Sequence, residues 1–221
     1  LVKFNNLEII NLCQFFNKKL IFKDINLKIN KGDWVGICGE SGSGKTTLLD
    51  NLMGLGKPSK GKIIVNGMDI YKNDNNLIWM NSIAHCPAET FLMDRDIIVN
   101  IKSILDVEEI NFKKLKKAWH CSGLDEFISL DDSVKKHMDK NSNFQERIKT
   151  FSSGQKQRIS IAKTLYKDKD IIMLDEFTSA LDENIEKLVL TRIKEHYPEK
   201  TIILISHKKI PLEYCNKFIR L

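Results

Sequence analysis

At 221 residues, 42% of them hydrophobic, the chain is long enough to bury a core as one domain with room for a smaller inserted lobe. Its longest apolar runs, such as Ile202-Ile203-Leu204-Ile205, fall far short of the ~20 residues a membrane-spanning helix needs, and the opening LVKFNNLEII has no signal-peptide pattern, so a soluble chain is expected. Five scattered cysteines without a C-x-x-C pair fit a reducing cytosol; the net charge of +6 is spread along the chain, and its densest patch, Lys113-Lys114 and Lys116-Lys117, reads as a solvated helix face rather than a nucleic-acid site.

Short β-rich runs alternate with helical periods, which predicts an α/β sheet protein. Trp34 to Cys38 is the first strand candidate, followed by Ile63 to Val65, Ile171 to Leu174 and Thr201 to Ile205. The last two are continuous apolar runs of the kind buried on both faces of a sheet. Between the Trp34 strand and a helix starting near Lys45 lies Gly39-Glu40-Ser41-Gly42-Ser43-Gly44-Lys45-Thr46-Thr47, in which Gly39-x-x-x-x-Gly44-Lys45-Thr46 is the P-loop pattern. Gly39, Gly42 and Gly44 permit backbone angles closed to other residues, so that successive N–H groups point at phosphate oxygens, and the helix start adds roughly half a positive charge. The expected ligand is a nucleoside triphosphate, with Lys45 neutralising the β- and γ-phosphates and the Thr46 hydroxyl ligating Mg2+. A Gly/Ser-rich surface loop would need neither the Gly-Lys-Thr ending nor the preceding strand.

From about residue 95 to 150 the pattern changes. Phe112, Leu115, Ala118 and Trp119 recur at helical spacing after an Asn111 cap, and Gly123 stands where that helix would end, which predicts a helical insert. Beyond it, Ile171-Ile172-Met173-Leu174-Asp175-Glu176 is an apolar strand with two carboxylates at its tip, the Walker B arrangement. Asp175 is expected to hold Mg2+ through its water shell and Glu176 to polarise the attacking water as general base. Such a pair alone would serve equally well to cap the next helix; the P-loop upstream decides for catalysis.

Seventeen residues before Asp175, Phe151-Ser152-Ser153-Gly154-Gln155-Lys156-Gln157-Arg158 resembles the LSGGQ signature of the ABC ATPases. Ser179-Ala180-Leu181-Asp182 is similar to that family's D-loop, and His207, after the Thr201 strand, to its switch histidine. The resemblance covers nearly the whole chain, in the family's order and spacing. It implies a P-loop NTPase core of the RecA-like kind with a mixed sheet, an antiparallel β subdomain and a helical subdomain, the core spanning about 1–87 and 151–221 and the helical part about 88–150. It also implies ATP and Mg2+ as cofactors, with Ser41, Ser43 and Thr47 joining the P-loop contacts. The signature residues Ser152, Ser153, Gly154 and Gln155, at a helix start, are expected to cap the γ-phosphate held by a partner's P-loop, so that two such domains, identical or different, sandwich two ATPs. Asp182 is expected at the nucleotide, and His207 at the γ-phosphate and attacking water, although a lone histidine after a strand is otherwise structural. Aligning Leu7-Glu8-Ile9 and Lys23-Asp24-Ile25 with the family's opening strands puts Phe16 at the aromatic position that stacks on adenine, with Phe15 one step away.

Two departures stand out. The family usually carries a glutamine in the loop joining the ATP core to the helical insert, where it reaches magnesium and senses the membrane partner; here Ala88 takes that place, with Glu89 and His85 as the nearby substitutes. Ser153 replaces a signature glycine, which is tolerable if its φ is negative. Lys45, Asp175, Glu176 and His207 all remain, so a working ATPase is expected rather than an ATP-binding scaffold. Asn143-Phe144-Gln145-Glu146-Arg147 resembles a degenerate T-x-V-G-E-R-G segment of exporter-type members, and Phe91-Leu92-Met93 through Asn100-Ile101 resembles their F-L-F…I-x-x-N-I. These imply an exporter's nucleotide-binding domain, excised from a longer chain and working at the cytoplasmic face of a membrane with transmembrane domains as partners and no nucleic acid. The alternatives are a soluble ABC ATPase and the ATPase of a separate-subunit importer.

Overall fold

Asn6–Phe16 and Lys19–Asn30 are the long strands β1 and β2, paired antiparallel. In β1 the buried side chains Leu7 and Ile9 alternate with more exposed ones until an irregularity at Asn11, whose φ of 47° shifts the register; Leu12 and Cys13 then turn inward together. With β4 (Lys60–Val65) and β5 (Met68–Asp69) they form a four-stranded antiparallel sheet ordered β2-β1-β4-β5. The computed structural model describes residues 3–102, 109–138 and 148–221.

The second sheet holds the predicted strands. β3 (Trp34–Cys38), β6 (Ile83–Cys86), β7 (Ile171–Asp175), β8 (Thr201–Ile205) and β9 (Lys217–Arg220) lie in the order β6-β7-β8-β3-β9. The pairs β7–β8, β8–β3 and β3–β9 are parallel, and both Asp175 and Ile37 stand opposite Ile205. Chain segments leaving β3, β7 and β8 therefore emerge side by side at one carboxyl edge, where open α/β sheets bind ligands. Helix α1 (Lys45–Met53) follows β3 and buries Leu48, Leu49 and Leu52 in a core shared with Ile9, Ile63, Met173 and Ile203. Two short helices, α2 (Asn75–Met80) and α8 (Lys209–Glu213), were not signalled by periodicity because each is too brief to repeat an apolar stripe.

The helical insert is present as α3 (Ile97–Lys102), α4 (Phe112–Cys121) and α5 (Leu130–Met138). Asn111 caps α4 by accepting from the Lys114 amide at 3.0 Å, and Gly123 lies just past its end with a φ of 72°. Leu115, Ala118 and Trp119 are buried as the spacing predicted, whereas Phe112, in the first turn, stays 48% exposed. Lys113, Lys114 and Lys116 face solvent, and Lys117 lies 3.8 Å above the Tyr197 ring. Asn100 is fully buried: its amide donates to the carbonyls of Met93, Arg95 and Asp96 and accepts from the Met93 N–H at 2.8 Å, pinning the loop before α3.

Contacts divide the chain differently from the expected 88–150 boundary. One unit comprises Leu1–His85, Lys169–Glu176 and Glu199–Leu221; the other comprises Cys86–Asp168 and Phe177–Pro198. Helices α6 (Ser153–Tyr166) and α7 (Glu183–His196) thus group with the insert. The reason is packing: Ile159 and Ala162 of α6 close a cluster with Ile97, Ile101, Leu115 and Trp119, and α4 lies against both α6 and α7. The exporter-like stretch 143–147 lies outside the described residues. Among the described residues no helix is long and apolar enough to cross a membrane.

Candidate active site

In the first unit, the turn after β3 has the backbone its glycines foretold. Gly42 and Gly44 have φ of 78° and 98°, and a Cβ on Gly44 would run into Ile21 of β2. Lys45 is 6% exposed, and its ammonium folds back on the loop, donating to the carbonyls of Gly39 at 3.0 Å and Glu40 at 2.7 Å. The Ser43 hydroxyl is buried without a hydrogen-bond partner, an orphaned polar atom inside the loop. A buried cation satisfied by weakly basic carbonyls, an unpaired hydroxyl and a helix N-terminus together fit a polyanionic ligand such as a triphosphate. Ser41, Gly42 and Thr46 are exposed and Thr47 is half-buried.

The carboxylates come from the tip of β7. Asp175 ends the strand; its carboxyl is pushed above the ordinary range by burial, then by the negative charges of Glu176 and Asp50, against which Lys45 pulls it down. Glu176 follows with a φ of 44°, a left-handed conformation uncommon for a side-chain-bearing residue, fixed by its N–H donating to the Ile205 carbonyl at 3.1 Å. That turn aims its carboxylate at the end of β8, where His207 Nε2 lies 3.0 Å from Glu176 Oε1. The predicted base and the predicted switch histidine are therefore in hydrogen-bond contact.

In the second unit, Ser152 caps α6. Its hydroxyl accepts from the Gln155 amide at 3.2 Å while the Gln155 side chain accepts from the Ser152 amide at 2.9 Å, a capping box that leaves the Ser153 and Gly154 amides for another acceptor. Ser153 is helical with a negative φ, so the departure from glycine costs nothing in backbone strain. Gly154 is required for space: a Cβ there would stand 2.9 Å from the Ala180 carbonyl. Gln157, which no sequence pattern singles out, bridges the signature helix to the D-loop, donating to the Ser179 hydroxyl at 3.2 Å and accepting from the Ala180 amide at 2.9 Å. Asp182 accepts from the Asn184 and Ile185 amides at 3.1 Å, so one carboxylate oxygen is spent on capping α7. Replacing Ser152 with alanine is expected to cost about 1 kcal/mol and to lower the melting temperature by about 2–4 °C, measurable by scanning calorimetry.

Phe16, at the end of β1, is 70% exposed, while Phe15 sits under the Lys60 ammonium, which is 5.9 Å from its ring centroid. An exposed ring unclaimed by the core is available for stacking. Ala88 and Glu89 are exposed, and His85 is half-buried in β6. Asp50, half-buried one turn after Thr46, belongs to no sequence motif; its i,i+4 spacing from Thr46 was the available signal.

A phosphate cradle at a helix start, with two carboxylates and a histidine at neighbouring strand ends, defines a P-loop nucleotide-binding protein. Comparison with known proteins narrows the class. Residues 22–179 match the ABC transporter family. The chain is 31% identical over 216 residues to a probable ABC transporter ATP-binding/permease protein of Haemophilus influenzae, covering 97% of this chain and 38% of that protein. It is 35% identical over 205 residues to the energy-coupling factor transporter ATP-binding protein EcfA2 of Clostridium tetani, covering 87% of this chain and 65% of that protein. A solved bacterial Atm1-family ABC exporter with ATP bound shares the fold, with a TM-score of 0.83 over 100% of this chain and 38% of that one at 22% identity. The chain belongs to the ABC transporter family and is an ATP-binding domain of it. It spans less than two thirds of the length of each of these relatives.

Proposed function

We propose that the chain hydrolyses Mg-ATP and, paired with a second nucleotide-binding domain, drives an exporter's transmembrane domains from the cytoplasmic face of a membrane. The observation that carries the hydrolytic reading is the Glu176–His207 contact of 3.0 Å beside the P-loop edge of the sheet. Water attacks the γ-phosphorus, Glu176 takes its proton, the bond to the β–γ bridging oxygen breaks, and ADP and inorganic phosphate result. His207 orients Glu176 and, with ATP bound, meets the γ-phosphate. Lys45 neutralises the β- and γ-phosphates, the P-loop amides from Gly39 to Thr47 cradle them, and Phe16 stacks on the adenine. Thr46 and, through water, Asp175 would hold Mg2+, which supplies charge neutralisation.

The free Ser153 and Gly154 amides, with Ser152 and Gln155 fixed around them, support a role as cap for a γ-phosphate bound by the partner, identical or different. Binding then closes the pair and hydrolysis releases it. The exporter reading draws support from the fused permease of the Haemophilus relative and from the Asn100-pinned loop. The likeness to EcfA2 supports a second reading, an ATP-binding subunit encoded apart from its membrane partner; membrane-spanning helices in the same reading frame would decide between them. The pairing is tested by light scattering of the Glu176→Gln chain: dimers with Mg-ATP and monomers with Mg-ADP are expected, and monomers under both conditions would refute it.

A further inference from the structure

In α1, Asp50 stands four residues after Thr46, on the same helix face, and side chains in a helix lean back toward its N-terminus. Its carboxylate is half-buried and has neither a hydrogen bond nor an ion pair among the described residues. The nearby hydroxyl of Tyr71 does not serve it, because its single hydrogen is engaged by the carbonyls of Asn51 and Gly56, 2.6 Å and 2.5 Å away. Asp50 lies near enough to Asp175 for the two negative charges to be felt by one another. A partly desolvated carboxylate without a partner, in the field of a second carboxylate, is unfavourable unless a cation offsets the charge. The face of α1 that bears it is the face of Thr46.

Resting on the reading of this P-loop as a Mg-ATP site, we propose that Asp50 is an outer-sphere ligand of the metal, accepting a hydrogen bond from a metal-bound water. Mg2+ keeps several of its waters when bound to protein and phosphate, so a carboxylate one helical turn from the threonine ligand has a partner to hold. Partners of this kind orient the inner ligands and commonly set metal affinity by 10- to 100-fold or so. Asp50 thus acts on the metal through water and is a positioning residue, without contact to the reacting phosphorus.

The test is Mn2+ binding, read by electron paramagnetic resonance, to the full chain saturated with a non-hydrolysable ATP analogue. Asp50→Asn is expected to weaken Mn2+ about tenfold, with the affinity for the metal-free analogue in EDTA unchanged, and Asp50→Glu to recover part of the loss. Equal Mn2+ affinity in wild type and Asp50→Asn would overturn the inference while leaving the Mg-ATP reading intact. So would an equal loss of metal-free analogue binding, which would mean that the substitution disturbs the cradle itself. A wild-type chain that binds the analogue but no Mn2+ would remove both.

Discussion

Glu176→Gln is expected to lower ATP turnover by about 10²-fold or more while leaving ATP affinity within about threefold of wild type. The two side chains have the same shape, so the left-handed turn at residue 176, the hydrogen bond its N–H donates to the Ile205 carbonyl and the contact with His207 can all persist. What disappears is a basic oxygen that can take the proton of the attacking water. The strained φ of 44° supports the assignment, since such backbone is retained where a side chain must be aimed. Steady-state phosphate release alongside a fluorescent-nucleotide titration separates the two effects. Turnover within about threefold of wild type would remove Glu176 from the role of base.

The parts of this arrangement that were legible beforehand are those whose cause is local. A P-loop announces itself because the phosphate cradle needs glycines and lysine at fixed spacing between a strand and a helix, and β3 and α1 begin and end where the motif requires. The apolar runs of β7 and β8 were equally plain, because strands covered on both faces cannot alternate. The grouping of α6 and α7 with the insert was not legible: the apolar residues of α6 announce a buried face but not its partner, and Trp119 and Ile97 are supplied by distant sequence. Gln157 is a further case. Its role depends on a hydroxyl and an amide 22 and 23 residues later, and a glutamine in a helix carries no mark of such a partner. Glu176 is legible from the paired carboxylates at the strand tip and His207 only from the family resemblance; their mutual contact follows from the parallel β7–β8 register.

Lys45→Ala is expected to weaken ATP binding by about 10²-fold or more. The ammonium is buried and already ordered, so little side-chain entropy remains to be lost when ATP arrives. Binding exchanges its two carbonyl acceptors, Gly39 and Glu40, for anionic phosphate oxygens. Charge-assisted hydrogen bonds contribute about 1.5–3 kcal/mol each. Losing two bonds between opposite charges, less the weaker ammonium–carbonyl bonds given up in exchange, leaves about 3 kcal/mol, a little over 10²-fold in affinity. Calorimetric titration reads the loss directly, and ATP should correspondingly fail to raise the melting temperature of the variant at concentrations that protect wild type. Arginine should not substitute, because its planar fork is larger than the compact ammonium that fits between the two carbonyls. An affinity within about threefold of wild type for Lys45→Ala would mean that the amides of the loop alone hold the triphosphate.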